Sequence, residues 1–147
     1  EKGEQWERAL EILAEMQEQH LEPDVVSFNA AISACEKGDQ WERALDILAV
    51  MQKQRVHPNV ISFNAAISTC EKSGQWAWAL GLLVKMQEQF IEPDVITYNA
   101  LISACEKSER WERALCILAQ MRGQDLAPTL ITYSAMISAC EKGEQWE

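Results

Sequence analysis

A chain of 147 residues, 48% hydrophobic and 24% charged, has the composition of a folded protein and not of a disordered tail. It holds no apolar run near the roughly 20 residues needed to span a bilayer, so nothing supports a membrane role. The net charge of −10 argues against polyanionic partners in general, but it is uneven. Residues 1–24 carry −6, whereas residues 25–59, 60–94 and 95–129 carry 0, −2 and 0, and residues 130–147 carry −2. The near-neutral middle permits contact with phosphate without requiring it.

Those stretches are copies of one another. Trp6, Trp41, Trp76, Trp111 and Trp146 fall 35 residues apart, as do Cys35, Cys70, Cys105 and Cys140, and Pro23, Pro58, Pro93 and Pro128. A fixed period of this length marks stacked repeats. Three complete copies are expected at 25–59, 60–94 and 95–129. Residues 1–24 form a partial copy (second helix and loop), and residues 130–147 another (first helix). The chain opens on EKGEQWE and ends on the same seven residues, so it reads as an excerpt from a longer array.

In chain order, the first partial copy supplies the apolar stripe that starts at Trp6, then a loop through Pro23. In the first complete copy, Phe28, Ala31, Ile32 and Cys35 follow the spacing i, i+3, i+4, i+7, which predicts a helix with one apolar face. Lys37-Gly38-Asp39-Gln40 breaks the pattern, and Gly38 is the expected helix terminator. Trp41, Ala44, Leu45, Leu48 and Met51 predict a second helix, with Ala44 small enough to let the pair approach. Pro58 closes the copy. The next two copies repeat this pattern, and the tail supplies one more first helix. Neither helix can bury its stripe alone, so stacked copies must share a continuous core. The expected fold is an all-α, two-layer solenoid of helix–turn–helix repeats. First helices should line the concave side and second helices the convex side.

The first helix carries a second stripe that is not core. Val26, Asn29, Ser33 and Lys37 share a face. The stripe recurs as Ile61, Asn64, Ser68, Lys72, then as Ile96, Asn99, Ser103, Lys107, and last as Ile131, Ser134, Ser138, Lys142. An aliphatic, an amide or hydroxyl, a hydroxyl and an amine repeated along one wall form the strongest functional signal in the sequence.

The remaining polar residues suggest no chemistry. Cysteines in equivalent places on helices about 8–10 Å apart are too distant to pair, and no CxxC suggests zinc. His20 and His57 have no in-register partners and read as loop residues, not metal ligands. No HExxH, GxxxxGK[ST] or GxSxG occurs. No cofactor or metal is implied, and no enzyme is expected in this segment.

The period of 35, the pattern V[VI][ST][FY]NA[AL]IS.C, then QWERAL and PD, resembles the pentatricopeptide repeat over the whole chain. The tetratricopeptide signature W-x2-L-G-x2-Y fails, because Glu42-Arg43-Ala44 follow Trp41. The resemblance implies a right-handed solenoid that binds single-stranded RNA, one base per copy, read by two or three side chains. The implied readers are Asn29 with Asn59, Asn64 with Asp94, and Asn99 with Thr129. Ser134 begins a further pair and Asp24 ends one. The family's rule for these pairs gives cytosine or uracil, then uracil, then a pyrimidine, with RNA running 5′ to 3′ from the N- to the C-terminus. Val26, Ile61, Ile96 and Ile131 are similar to the family's base-sandwiching residues. Lys37, Lys72, Lys107 and Lys142 are similar to its phosphate-facing lysines, although Glu36, Glu71, Glu106 and Glu141 stand beside them. The family acts mainly in mitochondria and plastids, in organellar RNA processing.

Two features stand apart. The five in-phase tryptophans sit in the second-helix stripe and read as core packing, not as base-stacking platforms. Trp78 breaks the ERAL pattern by replacing an Arg and is expected on the convex face. It is either a contact to another protein or incidental. With the acidic first segment, it keeps a protein-interaction scaffold of the same shape as the alternative function.

Overall fold

A computed structural model describes residues 2–143, which form eight helices. They are α1 (Lys2–Glu18), α2 (Val25–Lys37), α3 (Trp41–Lys53), α4 (Val60–Lys72), α5 (Trp76–Glu88), α6 (Val95–Lys107), α7 (Trp111–Gly123) and α8 (Leu130–Lys142). No strand is present among the described residues. The chain is an all-α helical repeat solenoid. Trp146, the fifth in-phase tryptophan, lies outside the described residues.

Helices α2, α4, α6 and α8 form one layer in which each packs on the next. Helices α1, α3, α5 and α7 form the other, and no two of these touch at the backbone. A tight inner row and a splayed outer row curve the stack toward the even-numbered helices, so their exposed face is the concave one. The core lies between the layers. Phe28, Ala31, Ile32 and Cys35 are buried in α2, and Ala44, Ile47, Leu48 and Met51 in α3, and the same positions are buried in α4 to α7; at the two ends Ile12 of α1 and Tyr133 and Ile137 of α8 are exposed. Trp6, Trp41, Trp76 and Trp111 are only partly buried at the core's outer edge.

Helix α2 stops at Gly38 as expected, but not through a left-handed glycine. Gly38 sits at φ −93°, a conformation open to any residue. The left-handed residue of that turn is Asp39 (φ 55°), matched by Gly74 (φ 71°) and Glu109 (φ 57°). Gly38 is small for another reason: a Cβ there would lie 2.5 Å from the Trp6 ring. The second turn of each copy also uses a left-handed residue, at His20, Arg55, Phe90 and Asp125. None of the four is a glycine, so each carries a steric cost.

All five cysteines are free thiols. Burial pushes Cys70 up to about 12, and Cys35 and Cys105 up to about 11. A thiol reagent should therefore modify exposed Cys116 first, Cys140 next, and the three buried thiols only as the chain unfolds. Equal rates for all five would contradict this packing. The raised values also fix a sign. Unfolded thiols titrate near about 8.5, so the thiol contribution to stability is intact below that pH and is lost as pH climbs toward the folded values. Denaturant midpoints measured from pH 7 to 10.5 should fall in the alkaline range. Phe90, 94% exposed at φ 59°, gains little from its ring, so Phe90→Gly should stabilise by about 0.5–1 kcal/mol, read as a higher urea midpoint.

Candidate nucleic-acid interface

Each first helix begins with a residue whose side chain caps it. The cap oxygen accepts from the N–H of the helix's third residue: Asp24 from Ser27, Asn59 from Ser62, Asp94 from Thr97 and Thr129 from Thr132. Asp, Asn and Thr are all good N-caps because they place an oxygen against an otherwise unpartnered N–H. Helices α4, α6 and α8 close the box, with the cap's own N–H donating to Ser62 Oγ, Thr97 Oγ1 and Thr132 Oγ1.

The amides of the preceding copy meet these caps. Asn29 Nδ2 donates to Asn59 Oδ1 at 3.2 Å, and Asn64 Nδ2 donates to Asp94 Oδ1 at 3.1 Å. On its other side each amide accepts a hydroxyl from the next copy: Ser62 to Asn29, Thr97 to Asn64 and Thr132 to Asn99, each at 2.5 Å. Each of these hydroxyls has a single proton, which goes to this nearest oxygen in preference to the cap oxygen about 3 Å away. Turning the Asn64 amide over would set its oxygen against the Asp94 carboxylate, so the orientation is fixed from both sides. Asn99 lacks the second restraint, because its Oδ1 bonds to Thr132 while Thr129 bonds only to Thr132.

The hydroxyls of Ser62, Thr97 and Thr132, all fully buried, were not singled out from the sequence. Their signal was the [ST] of V[VI][ST][FY]N, whose partner lies 33 residues back. Burial raises the Asp94 carboxyl, but hydrogen bonds from Thr97 and Asn64 outweigh it and hold Asp94 below the usual carboxylate range. Asp94 is therefore ionised at neutral pH.

Around these amides the stripe is open. Val26, Ile61, Ile96 and Ile131 are 61–69% exposed. Ser134 is exposed at the last helix. The lysines are engaged. Lys72, Lys107 and Lys142 pair with Glu36, Glu71 and Glu106 of the preceding copy at 3.0, 2.7 and 2.7 Å. Each glutamate also accepts from Ser68, Ser103 or Ser138. Each glutamate thus ties into the next copy. The lysines keep 43–45% of their side chains exposed. Lys37 is exposed at the end of α2.

The family model described as the pentatricopeptide repeat domain matches residues 3–38, 12–73 and 81–142, and the single PPR repeat matches residues 61–89. The chain belongs to the pentatricopeptide repeat family. Among solved structures, the maize pentatricopeptide repeat protein PPR10 is similar over 95% of this chain and 20% of its own, with 23% identity and a TM-score of 0.83. PPR10 in complex with an 18-nt psaJ RNA element matches 94% of this chain and 20% of its own at 25% identity, TM-score 0.79. The PPR domain of Arabidopsis thaliana protein-only RNase P 1, in complex with tRNA, matches 95% and 77% at 16% identity, TM-score 0.81. This pentatricopeptide repeat chain thus spans about a fifth of the PPR10 chains it matches. Among curated proteins none matches.

The buried hydroxyl can be tested by stability alone. Thr97→Val strands the Asn64 oxygen and the Asp94 N–H, and should cost about 1–3 kcal/mol in urea unfolding. Thr97→Ser, which copies Ser62, should cost far less. Equal losses for the two would mean that packing of the methyl group, not the hydroxyl, matters at this position.

Proposed function

We propose that this chain binds single-stranded RNA along its concave face, one base per helix pair, taking the copies at 25–59, 60–94 and 95–129 as the reading units. The observation that supports it most is the oriented amide beside an exposed aliphatic. Asn29 and Asn64 each have one N–H committed to the cap and one lone pair committed to the hydroxyl. One N–H and one lone pair remain, and a pyrimidine edge mixes donors and acceptors in the same way.

The cap then decides between pyrimidines. Asp94 has a second oxygen and can only accept, which suits the N3–H of uracil. Asn59 uses its oxygen for the helix, so its spare group is an NH2 donor, which suits the N3 acceptor of cytosine. Thr129 has a hydroxyl that donates or accepts, which suits either. The reading is therefore C over U, then U, then a pyrimidine, running 5′ to 3′ with the chain as in the family. Val26, Ile61, Ile96 and Ile131 would cover the base faces. Lys37, Lys72, Lys107 and Lys142 would share phosphates, three of them from within their glutamate pairs. The roles assigned are recognition and not catalysis, in a segment of a longer array acting on organellar RNA in a mitochondrion or plastid.

Stacking of three bases at about 1–3 kcal/mol each, together with their polar contacts at about 0.5–1.5 kcal/mol each, offsets an association cost of about 4–15 kcal/mol, so the segment alone should bind at roughly micromolar to millimolar Kd. Lysines already paired imply a salt slope shallower than about −3. Asp94→Asn in an array of in-register copies should shift the middle base from U toward C by about tenfold or more, since a well-made polar base contact discriminates by about 1–3 kcal/mol. The check is competition between short RNAs that differ at that base. An unchanged U preference would remove Asp94 from the reading pair, and nanomolar binding by the 147-residue chain would contradict the energetics.

A further inference from the structure

Along the outer layer, tryptophan rings are covered from the following copy. The guanidinium of Arg43 lies 5.9 Å from the Trp6 ring centre, and that of Arg110 lies 4.9 Å from the Trp76 ring centre. Over Trp41 the covering group is Trp78, with ring centroids 5.9 Å apart and planes tilted by 43°. Trp78 stands 35 residues after Arg43 and 35 before Arg113, so an indole replaces a guanidinium.

Two more departures accompany it on α5. Ala77 stands where the other copies have Glu42 and Glu112, and Gly81 where they have Asp46 and Cys116. A Cβ on Gly81 would meet nothing within 4 Å, so packing does not demand the glycine; it leaves room. Because the backbones of α3 and α5 stay apart, a cleft of about 550 Å³ opens between them, lined by Trp41, Trp78, Glu42, Asp46, Gly81 and Lys85 among others. Trp78 is 54% exposed beside it. Among the described residues neither Glu42 nor Asp46 forms an ion pair.

We propose that this convex cleft between α3 and α5 docks an arginine side chain carried by an apolar segment of a partner protein. The outer layer itself shows twice that its indoles take a guanidinium on the face. At the place that Arg43 fills over Trp6, α5 carries Trp78, which leaves an indole exposed, while Arg110 reaches Trp76 from the residue just before α7. Guanidinium stacks on indole and is held by carboxylates. Glu42 and Asp46, one helical turn apart, offer two of them on the same wall. Lys85 on the opposite wall offsets one of the two carboxylates, so the lining keeps a single net negative charge, which one arginine neutralises. A nucleic-acid phosphate would meet both carboxylates, which makes RNA the wrong occupant. The site is on the opposite face from the amides and does not depend on their reading.

The test uses acetyl-Leu-Arg-Leu-amide and its citrulline counterpart, neutral but of the same shape, titrated against the 147-residue chain by tryptophan fluorescence and NMR. The arginine peptide should bind about tenfold more tightly than the citrulline peptide. Trp78→Arg should abolish binding while keeping the helical melt, because Arg43 and Arg113 occupy the same place in neighbouring copies. Asp46→Asn should weaken it severalfold. Equal affinity for the two peptides, binding retained by Trp78→Arg, or no saturable binding at millimolar peptide would overturn the proposal. So would self-association in sedimentation that Trp78→Arg abolishes, since the occupant would then be a second copy.

Discussion

The side-chain oxygen at the start of each first helix is the constraint on which the rest of the concave face depends. A helix start buried against a neighbouring copy leaves N–H groups that water cannot reach, and one side-chain oxygen must answer them. In this chain the same oxygen receives the amide of the preceding copy, at Asn59 and at Asp94. Cap, amide and hydroxyl close a ring of hydrogen bonds across the junction. In a partly dry setting such a ring strengthens each of its members.

This arrangement explains why position 59, 94 or 129 can vary. Folding asks only for an acceptor oxygen, and Asn, Asp and Thr all have one. What differs is what remains: an amide NH2, a second carboxylate oxygen, or the proton of the capping hydroxyl itself. The fold consumes the part that the three side chains share and leaves the variable part uncommitted to the cap. The companion Asn has no such freedom, because its oxygen must accept from Ser62, Thr97 or Thr132.

Curvature has an equally local origin. Inner helices pack directly on one another while the backbones of outer helices stay apart, so the inner wall is continuous and the outer one is grooved. The Glu–Ser–Lys ties, running Glu36 to Ser68 and Lys72 and onward, add polar stitches between inner helices. On the outside, spacing is filled by arginine or tryptophan laid over a ring of the preceding copy. Where α5 departs from the pattern, the filling is incomplete and a cleft remains.

The period of 35, the i, i+3, i+4 spacing and the in-phase prolines and tryptophans were enough to determine helix pairs, core faces and the exposed stripe of Val26, Asn29, Ser33 and Lys37. These follow from the geometry of one helix, which a linear pattern encodes. The sequence alone did not show that Gly38 yields to a tryptophan ring and not to a backbone angle. It did not show that the lysines reach back to a glutamate 36 residues earlier, or that buried hydroxyls lock the amides. Each of these joins groups from different copies, at distances set only when the copies stack. Residues within a helix declare their neighbours by spacing; residues across a junction acquire them only from the tertiary fold.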